Sequence, residues 1–315
     1  MKVLRAVLAW GAFAFIAAVI LWWGMSSLTG DALTLVRWLN YAAPWLGVAG
    51  ILIGAVVLLL KRLFLGVVCI GSALLILVPD HIGFPDRARG AEACETQRQV
   101  LSVVSYNMMT RNADMRSAAQ VVGHFDADIL FLQEVNDPAF LFGELKEHFP
   151  AQPVYFARDD NLKLMIVSRF PFIEMSSEGK IQQAAVRTPD GPLFLRNLHA
   201  IKAIGSDKEQ LKTIGQLADD VSSLSWPTIV AGDFNMTAEN DGYKMLRTWL
   251  RNAHEEAGSG FGFTFPTPNR SMGAFFPFVR IDHIFVSRHF DVLWSAVDGN
   301  FGGSDHYPIT AKLCL

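Results

Sequence analysis

Acidic side chains are almost missing from the first quarter of the chain: of 30 Asp and Glu residues, only Asp31 falls within residues 1–79. Basic residues are scarce there as well, limited to Lys2, Arg5, Arg37, Lys61 and Arg62. A stretch with so little charge cannot present the solvated surface of a globular unit, and it supplies much of the chain's 51% hydrophobic content. The remainder lacks the opposite feature, an excess of positive charge. Residues 80–315 hold 22 basic and 29 acidic side chains, a net of −7. Such a domain exerts no general pull on polyanions, which weighs against a tight, non-specific nucleic-acid binder. Internal repeats and low-complexity tracts are also absent, which excludes a solenoid array.

What the first 79 residues do contain is three apolar runs, at residues 6–28, 38–60 and 63–79. A helix rising 1.5 Å per residue needs about 20 apolar residues to cross a hydrocarbon core about 30 Å thick. The first run has only Ser26 and Ser27 as polar members, and Trp22 and Trp23 have the character of interface anchors. Its length and the runs that follow set it apart from a cleavable signal peptide. The third run is short, and a re-entrant or interfacial segment is the alternative to a full span. Lys2 and Arg5 precede the first run and Lys61 and Arg62 follow the second, so both clusters belong on the cytoplasmic side. Residues 6–79 are therefore expected to lie in the bilayer as three transmembrane helices of a multi-pass protein. The chain after Pro79 is expected on the periplasmic face of a bacterial inner membrane, although Arg87 and Arg89 pull the other way.

Residues 80–97, with Gly83, Pro85, Gly90 and a run of charges, read as a linker. From residue 98 to 315 the pattern changes to short β-rich runs alternating with helical ones, an α/β domain. Strands are expected at 100–106, 128–135, 162–168, 192–200, 227–234, 280–287 and 307–314, and helices at 115–125, 138–149, 207–223 and 241–250. Of the three cysteines, Cys69 lies in an apolar run, while Cys94 and Cys314 flank the domain. If the first and last strands are neighbours, these two thiols can meet as a disulfide; two unrelated buried thiols are the alternative.

Chemistry is carried by polar residues at the ends of apolar strands: Asn107, Glu134, His199, Asp233, Asn235, Asp282, Asp305 and His306. Singly, each is an ordinary turn or cap residue. Together on one sheet domain they match what phosphate-ester cleavage demands, namely a hard cation, an activated water and donors for charge building on phosphorus. Mg²⁺ takes oxygen ligands, for which Glu134 and Asp305 are candidates. His306 supported by Asp282 can move a proton near neutral pH. Asn107 and Asn235 can donate to a phosphoryl oxygen without adding negative charge. Arg169 can touch a phosphate or fix a turn, and His283, on the opposite strand face from Asp282, reads as structural.

In order along the chain, SYNMM (105–109), DILFLQEV (128–135), LMIVSRFPF (164–172), NLHA (197–200), AGDFN (231–235), RIDHIFVS (280–287) and GSDHYPI (303–309) resemble the motifs of the endonuclease/exonuclease/phosphatase family. That resemblance implies a two-layered α/β sandwich of the deoxyribonuclease I-like type, with the site at one edge, preceded here by the transmembrane segment. It implies Glu134 as principal Mg²⁺ ligand (Mn²⁺ being an alternative), supported by Asn107 and Asp305. Asp233 would orient or deprotonate the attacking water, Asn235 and Asn107 would hold the phosphate, and His306 would pair with Asp282. His199 matches the histidine of the nuclease and sphingomyelinase branches, where apurinic endonucleases have tyrosine.

The expected activity is a metal-dependent phosphoesterase, nuclease-like, with nucleic acid or a lipid headgroup as the phosphate-ester substrate. A nuclease requires a basic groove despite the net charge. A lipid or small-molecule phosphoesterase at the membrane requires an apolar rim, for which Phe261, Phe263, Phe265, Phe275, Phe276 and Phe278 are candidates, with core packing as their alternative role. A catalytically inactive binding protein of the same fold is the alternative of another class. It would show as substitutions in the site set, and that set is intact.

Overall fold

Side chains along the central strands alternate between two apolar environments, and this alternation dictates the architecture. The computed structural model describes residues 2–83, 94, 99–148, 154–203 and 205–315. In β1 (Val100–Asn107), Leu101 and Val103 enter one hydrophobic cluster while Val104 and Tyr106 enter another. This is the two-residue period of a strand buried on both faces. The first helices are α1 (Lys2–Thr29), α2 (Thr34–Leu59) and α3 (Leu63–Asp80). After β1 come α4 (Met115–His124), β2 (Ile129–Gln133), α5 (Pro138–His148), β3 (Tyr155–Asp159), β4 (Leu164–Ser168), β5 (Phe172–Glu178), β6 (Ile181–Thr188) and β7 (Gly191–His199). The chain continues through α6 (Lys208–Ser223), β8 (Thr228–Asp233), α7 (Asp241–Arg247), β9 (Arg251–Asn252), α8 (Ala253–Ala257), β10 (Asp282–Val286), β11 (Asp291–Val297) and β12 (Ile309–Cys314).

The strands form two six-stranded sheets, ordered β11-β12-β1-β2-β4-β3 and β5-β6-β7-β8-β10-β9. Leu101, Phe131 and Ile166 of the first sheet share a buried cluster with Leu195, Ile229 and Ile284 of the second, so the sheets pack face to face. Ala118, Val122 and Leu141 of α4 and α5 cover the outside of the first sheet, and Ile214, Leu217 and Leu246 of α6 and α7 cover the second. The expected sandwich is thus present. The strands β3, β5, β6, β9 and β11 fall outside the expected set. In β5 every residue after Phe172 is exposed, so its sequence carries no apolar alternation to read.

α1 and α2 are long and apolar enough to cross a membrane, whereas the apolar part of α3, Leu63–Val78, is shorter. α2 meets α3 through small residues that let the two backbones approach closely: a Cβ on Gly54 would lie 2.5 Å from Ile70 Cγ1. The helices also grip the sandwich. In the turn between α1 and α2, Asp31 accepts from the backbone N–H of Asp241 (2.7 Å), from Asn240 Nδ2 (3.0 Å) and from Asn40 Nδ2 (2.8 Å), while its own N–H donates to Asp241 Oδ2 (2.7 Å). Buried Arg37 donates to the Asp31 carbonyl (2.9 Å) and pairs with Asp207 (3.3 Å). Further along α2, the Tyr41 hydroxyl donates to the carbonyl of Asn235 and Trp45 Nε1 to that of Phe278. Of the segment expected as a linker, Gly83 forms an isolated antiparallel bridge with Gly260. Residues 84–93 and 95–98 lie outside the described residues.

β1 and β12 are antiparallel neighbours with Val100 opposite Cys314, and Cys94 and Cys314 are disulfide-bonded with Cα atoms 5.6 Å apart. The bond spans 220 residues, for which the chain-entropy relation gives about 5 kcal/mol at 25 °C. The double variant Cys94→Ser/Cys314→Ser is expected to melt roughly 10 °C lower than the oxidised protein in the same detergent, as followed by circular dichroism.

Candidate active site

The rows of side chains pointing between the sheets turn polar at one rim. In β1 the inward row is Leu101, Val103, Ser105, Asn107; in β7 it is Leu193, Leu195, Asn197, His199; in β8 it is Ile229, Ala231, Asp233; in β10 Asp282 precedes Ile284 and Val286. The register aligns these ends, with His199 opposite Asp233 in the parallel β7–β8 pair and Asp282 opposite Asp233 in the antiparallel β8–β10 pair. The apolar part of each row is held by burial and the polar end is placed by the period of the strand. Gly232 makes the close strand packing possible: its φ is +153°, and a Cβ there would lie 2.0 Å from the Leu198 carbonyl oxygen.

At this rim Asp233 is the meeting point. Its Oδ2 accepts from Asn107 Nδ2 at 3.0 Å and lies 3.6 Å from His199 Nε2 and 3.7 Å from His306 Nε2. On the far side of Asn107, Glu134 Oε1 accepts from the same amide at 3.2 Å and lies 3.6 Å from His199 Nε2, while Oε2 accepts from the Thr110 N–H at 2.7 Å. Burial would raise the Glu134 carboxyl, but the Thr110 N–H and His199 outweigh it and hold the group below its ordinary value. Glu134 and Asn235 both adopt left-handed backbone, with φ of +56° and +49°. That conformation costs a side-chain-bearing residue on the order of 1 kcal/mol, and such strain collects at functional sites.

Behind Asp233, His306 Nδ1 bonds Asp282 Oδ2 at 2.9 Å, so the ring is fixed with Nε2 turned toward Asp233. Burial opposes charging this imidazole, but Asp282 first and Asp233 next more than compensate, and they push it up to about 9. As it stands, the pair is an imidazolium held by carboxylate, a proton donor at neutral pH.

The donor chemistry fits a hard divalent cation at Glu134. This carboxylate is ionised, lines a polar cleft of about 310 Å³ with His199, Lys180 and Lys202, and keeps lone pairs beyond its two hydrogen bonds. Asp233, Asp282 and His306 also bring ligand atoms within 4.8 Å of one another. Within that group, however, the Asp282 Oδ2–His306 Nδ1 bond occupies two of the donors.

Residues 104–306 match the endonuclease/exonuclease/phosphatase family, well over half of the chain. The protein belongs to this family. No curated protein matches the chain. Its sandwich is similar to that of an endonuclease/exonuclease/phosphatase family protein from Bacteroides thetaiotaomicron, with 22% identity, 70% of this chain and 97% of the other covered, and a TM-score of 0.56. It is also similar to Caenorhabditis elegans TDP2 (21%, 69% and 98%, 0.57) and to the mannosyl-6-phosphatase of Bacteroides thetaiotaomicron (21%, 68% and 100%, 0.54). These likenesses establish a shared fold.

Of the site residues expected for a member of this family, Asn107, Glu134, His199, Asp233, Asp282 and His306 stand together. Asp305, Asn235 and the side-chain carbonyl of Asn107 have partners of their own. Asp305 directs Oδ2 at Arg270, 2.8 Å from Nε and 2.7 Å from Nη2. Asn107 Oδ1 accepts the Met109 N–H at 3.0 Å, so its amide NH₂, not its carbonyl, serves the carboxylates. Asn235 Nδ2 donates to the Ala200 carbonyl at 2.8 Å. Arg169 lies at the opposite end of β2 from Glu134, bound to Asp126 and Asp128, which favours the turn-fixing one of its two alternatives. His283 sits outside the site between Asn252 and the Met236 carbonyl, and burial pushes it down to about 3. Not anticipated were Ser304, which donates to the Asn107 carbonyl and accepts from the His306 N–H, and the buried pair Gln133–Asn197 beneath the rim (2.8 Å). Lone serine and amide residues carry no pattern in a single sequence.

The raised His306 value has a consequence for stability. A histidine whose folded value exceeds its unfolded 6.5 stabilises the fold fully below that pH and ceases to do so as pH rises through about 9. In EDTA, the melting temperature is expected to fall across this window, and His306→Gln is expected to flatten the slope.

Proposed function

We propose that this chain hydrolyses phosphodiester or phosphomonoester bonds by attack of water on phosphorus, with a divalent cation such as Mg²⁺ as cofactor. The observation that carries this is the line Glu134, Asn107, Asp233, His306, Asp282, in which carboxylates and donors alternate along the cleft. Two acids close together repel unless a donor lies between them, and here Asn107 separates Glu134 from Asp233 while His306 separates Asp233 from Asp282. A cation bound at Glu134 would supply Lewis-acid charge at a phosphoryl oxygen.

The chain's own groups do the rest. Asp233, acceptor-only when ionised, orients the water and takes its proton as the new P–O bond forms. His306, charged at neutral pH, donates from Nε2 to a phosphoryl oxygen and stabilises the charge that builds there. The leaving oxygen departs opposite the water and takes a proton from solvent. Asp282 holds the imidazole in its tautomer, and His199 steadies both carboxylates from the cleft wall.

Membrane anchoring by α1 and α2, with α3 completing the bundle, is part of the same reading. It is supported by the exposed apolar faces of these helices, including Trp10, Trp23, Leu52 and Phe64. The α1–α2 turn touches the sandwich through Asp31, and the chain leaving α3 touches it through Gly83. Lys61 and Arg62 lie at the other ends of α2 and α3, so basic clusters and sandwich belong on opposite sides of a bilayer. The disulfide is consistent with an extracytoplasmic compartment.

Full-length protein in detergent is expected to cleave methyl p-nitrophenyl phosphate with Mg²⁺ and not with EDTA. Asp233→Asn and His306→Ala are each expected to lose roughly 10²–10⁴-fold in kcat. Turnover that survives both substitutions and chelation would sink the assignment.

A further inference from the structure

Helix α2 does more than hold the sandwich to the other helices. Its first three turns form one wall of a cleft of about 490 Å³, in which Trp38, Tyr41 and Trp45 face Phe265, Phe278 and Ile281 of the sandwich. Apolar surface left open to water is unfavourable by about 25 cal/mol per Å², so an apolar cleft of this size reads as a place for a ligand. It is not a gap between loosely docked parts, because both ends are tied by hydrogen bonds, from Tyr41 to the Asn235 carbonyl and from Trp45 to the Phe278 carbonyl.

The cleft opens into the candidate active site. Asn235 lies on its wall, the Phe265 ring is 4.9 Å from the His306 ring, and Lys202 lines both this cleft and the polar one that holds Glu134 and His199. One bound molecule therefore meets an apolar slot, then a lysine ammonium, then carboxylates and histidines. Among the described residues, Lys202 is the single charged one lining the apolar cleft, too little for a polyanionic backbone but suited to one phosphate. The slot also lies where α2, long and apolar enough to span, enters the sandwich. Trp38, Tyr41 and Trp45 recur there at the spacing of one helix face and carry the amphipathic rings that favour the headgroup layer.

We infer that the substrate is a membrane lipid phosphate ester, whose apolar tail lies in the cleft between α2 and the aromatic loop while its phosphate reaches Glu134 and His306. The inference rests on the phosphoesterase reading for the bond that is cut, and on the cleft alone for the tail. From Trp38 to Trp45 the helix advances about 10 Å, so the slot accommodates part of a chain and the remainder stays in the bilayer.

The test uses the full chain in phosphatidylcholine nanodiscs and an uncleavable probe, octylphosphonate carrying a diazirine at the end of its chain. Photolabel mapped to residues 38–45 and 265–281, and lost when Ala42→Phe fills the slot, is the expected result. Label confined to outward helix faces such as Trp10 and Phe64 and unchanged by Ala42→Phe overturns the inference. So does protection of the slot by a short oligonucleotide but not by unlabelled octylphosphonate. Because the probe is not hydrolysed, these outcomes stand apart from turnover of the methyl aryl diester, which decides the phosphoesterase reading.

Discussion

The structure depends on one carboxylate. Asp31, the only acid among the first 79 residues, is 2% exposed and surrounded by donors from both the α2 side and the loop before α7. A buried charge is tolerated only when its hydrogen-bonding capacity is met, so the helices and the sandwich are held in the single arrangement that meets it. That arrangement brings Asn40 against Thr237 (3.1 Å) and Tyr41 against the carbonyl of Asn235. Gln210 of α6 donates to the same carbonyl at 2.9 Å. Asn235, strained and two residues from Asp233, is thereby fixed from the side of the helices and from the side of the sheet.

The second constraint is the strand period. Between the sheets, apolar side chains at every other position set the register by burial, and whatever stands at the end of the same row is carried to the same rim. This explains how residues as distant in sequence as Asn107 and Asp282 come to share Asp233 as a neighbour. It also explains why His283, one position from Asp282, belongs to a different environment, in contact with Phe234 and Tyr243 behind the sheet.

Much of this was readable beforehand because it is periodic or motif-like. The central strands β1, β2, β7, β8 and β10 are rich in apolar residues, and the groups that matter stand at their ends, closing the first four and opening β10. The edge strands were not readable, since β5 is polar and exposed along nearly its whole length. Nor was the orientation of amides: that Asn107 offers its NH₂ follows from a backbone N–H two residues away, which a residue type cannot reveal. The Asp305–Arg270 pair was unreadable for a similar reason, because Arg270 comes from a loop whose path no pattern announces. Of the two roles open to the aromatic run, rim or core, none of its six phenylalanines takes the second: all are partly or fully exposed and none enters a core cluster. Phe263 stacks on Trp45 at 5.7 Å, Phe265 lies against His306, and Phe275 is 91% exposed.

Sequence composition places a boundary near residue 80, separating an apolar segment from a charge-rich remainder. The Tyr41–Asn235 contact means that the boundary is not a functional one. A helix that supplies a wall of the aromatic cleft and a hydrogen bond to a loop of the candidate site is built into the surroundings of that site. Exchange for another hydrophobic helix of equal length would keep the apolar length and discard these contacts with the sandwich. The surroundings of the candidate site therefore draw on both sides of that boundary, and the inner face of α2 is as much a part of them as the ends of the strands.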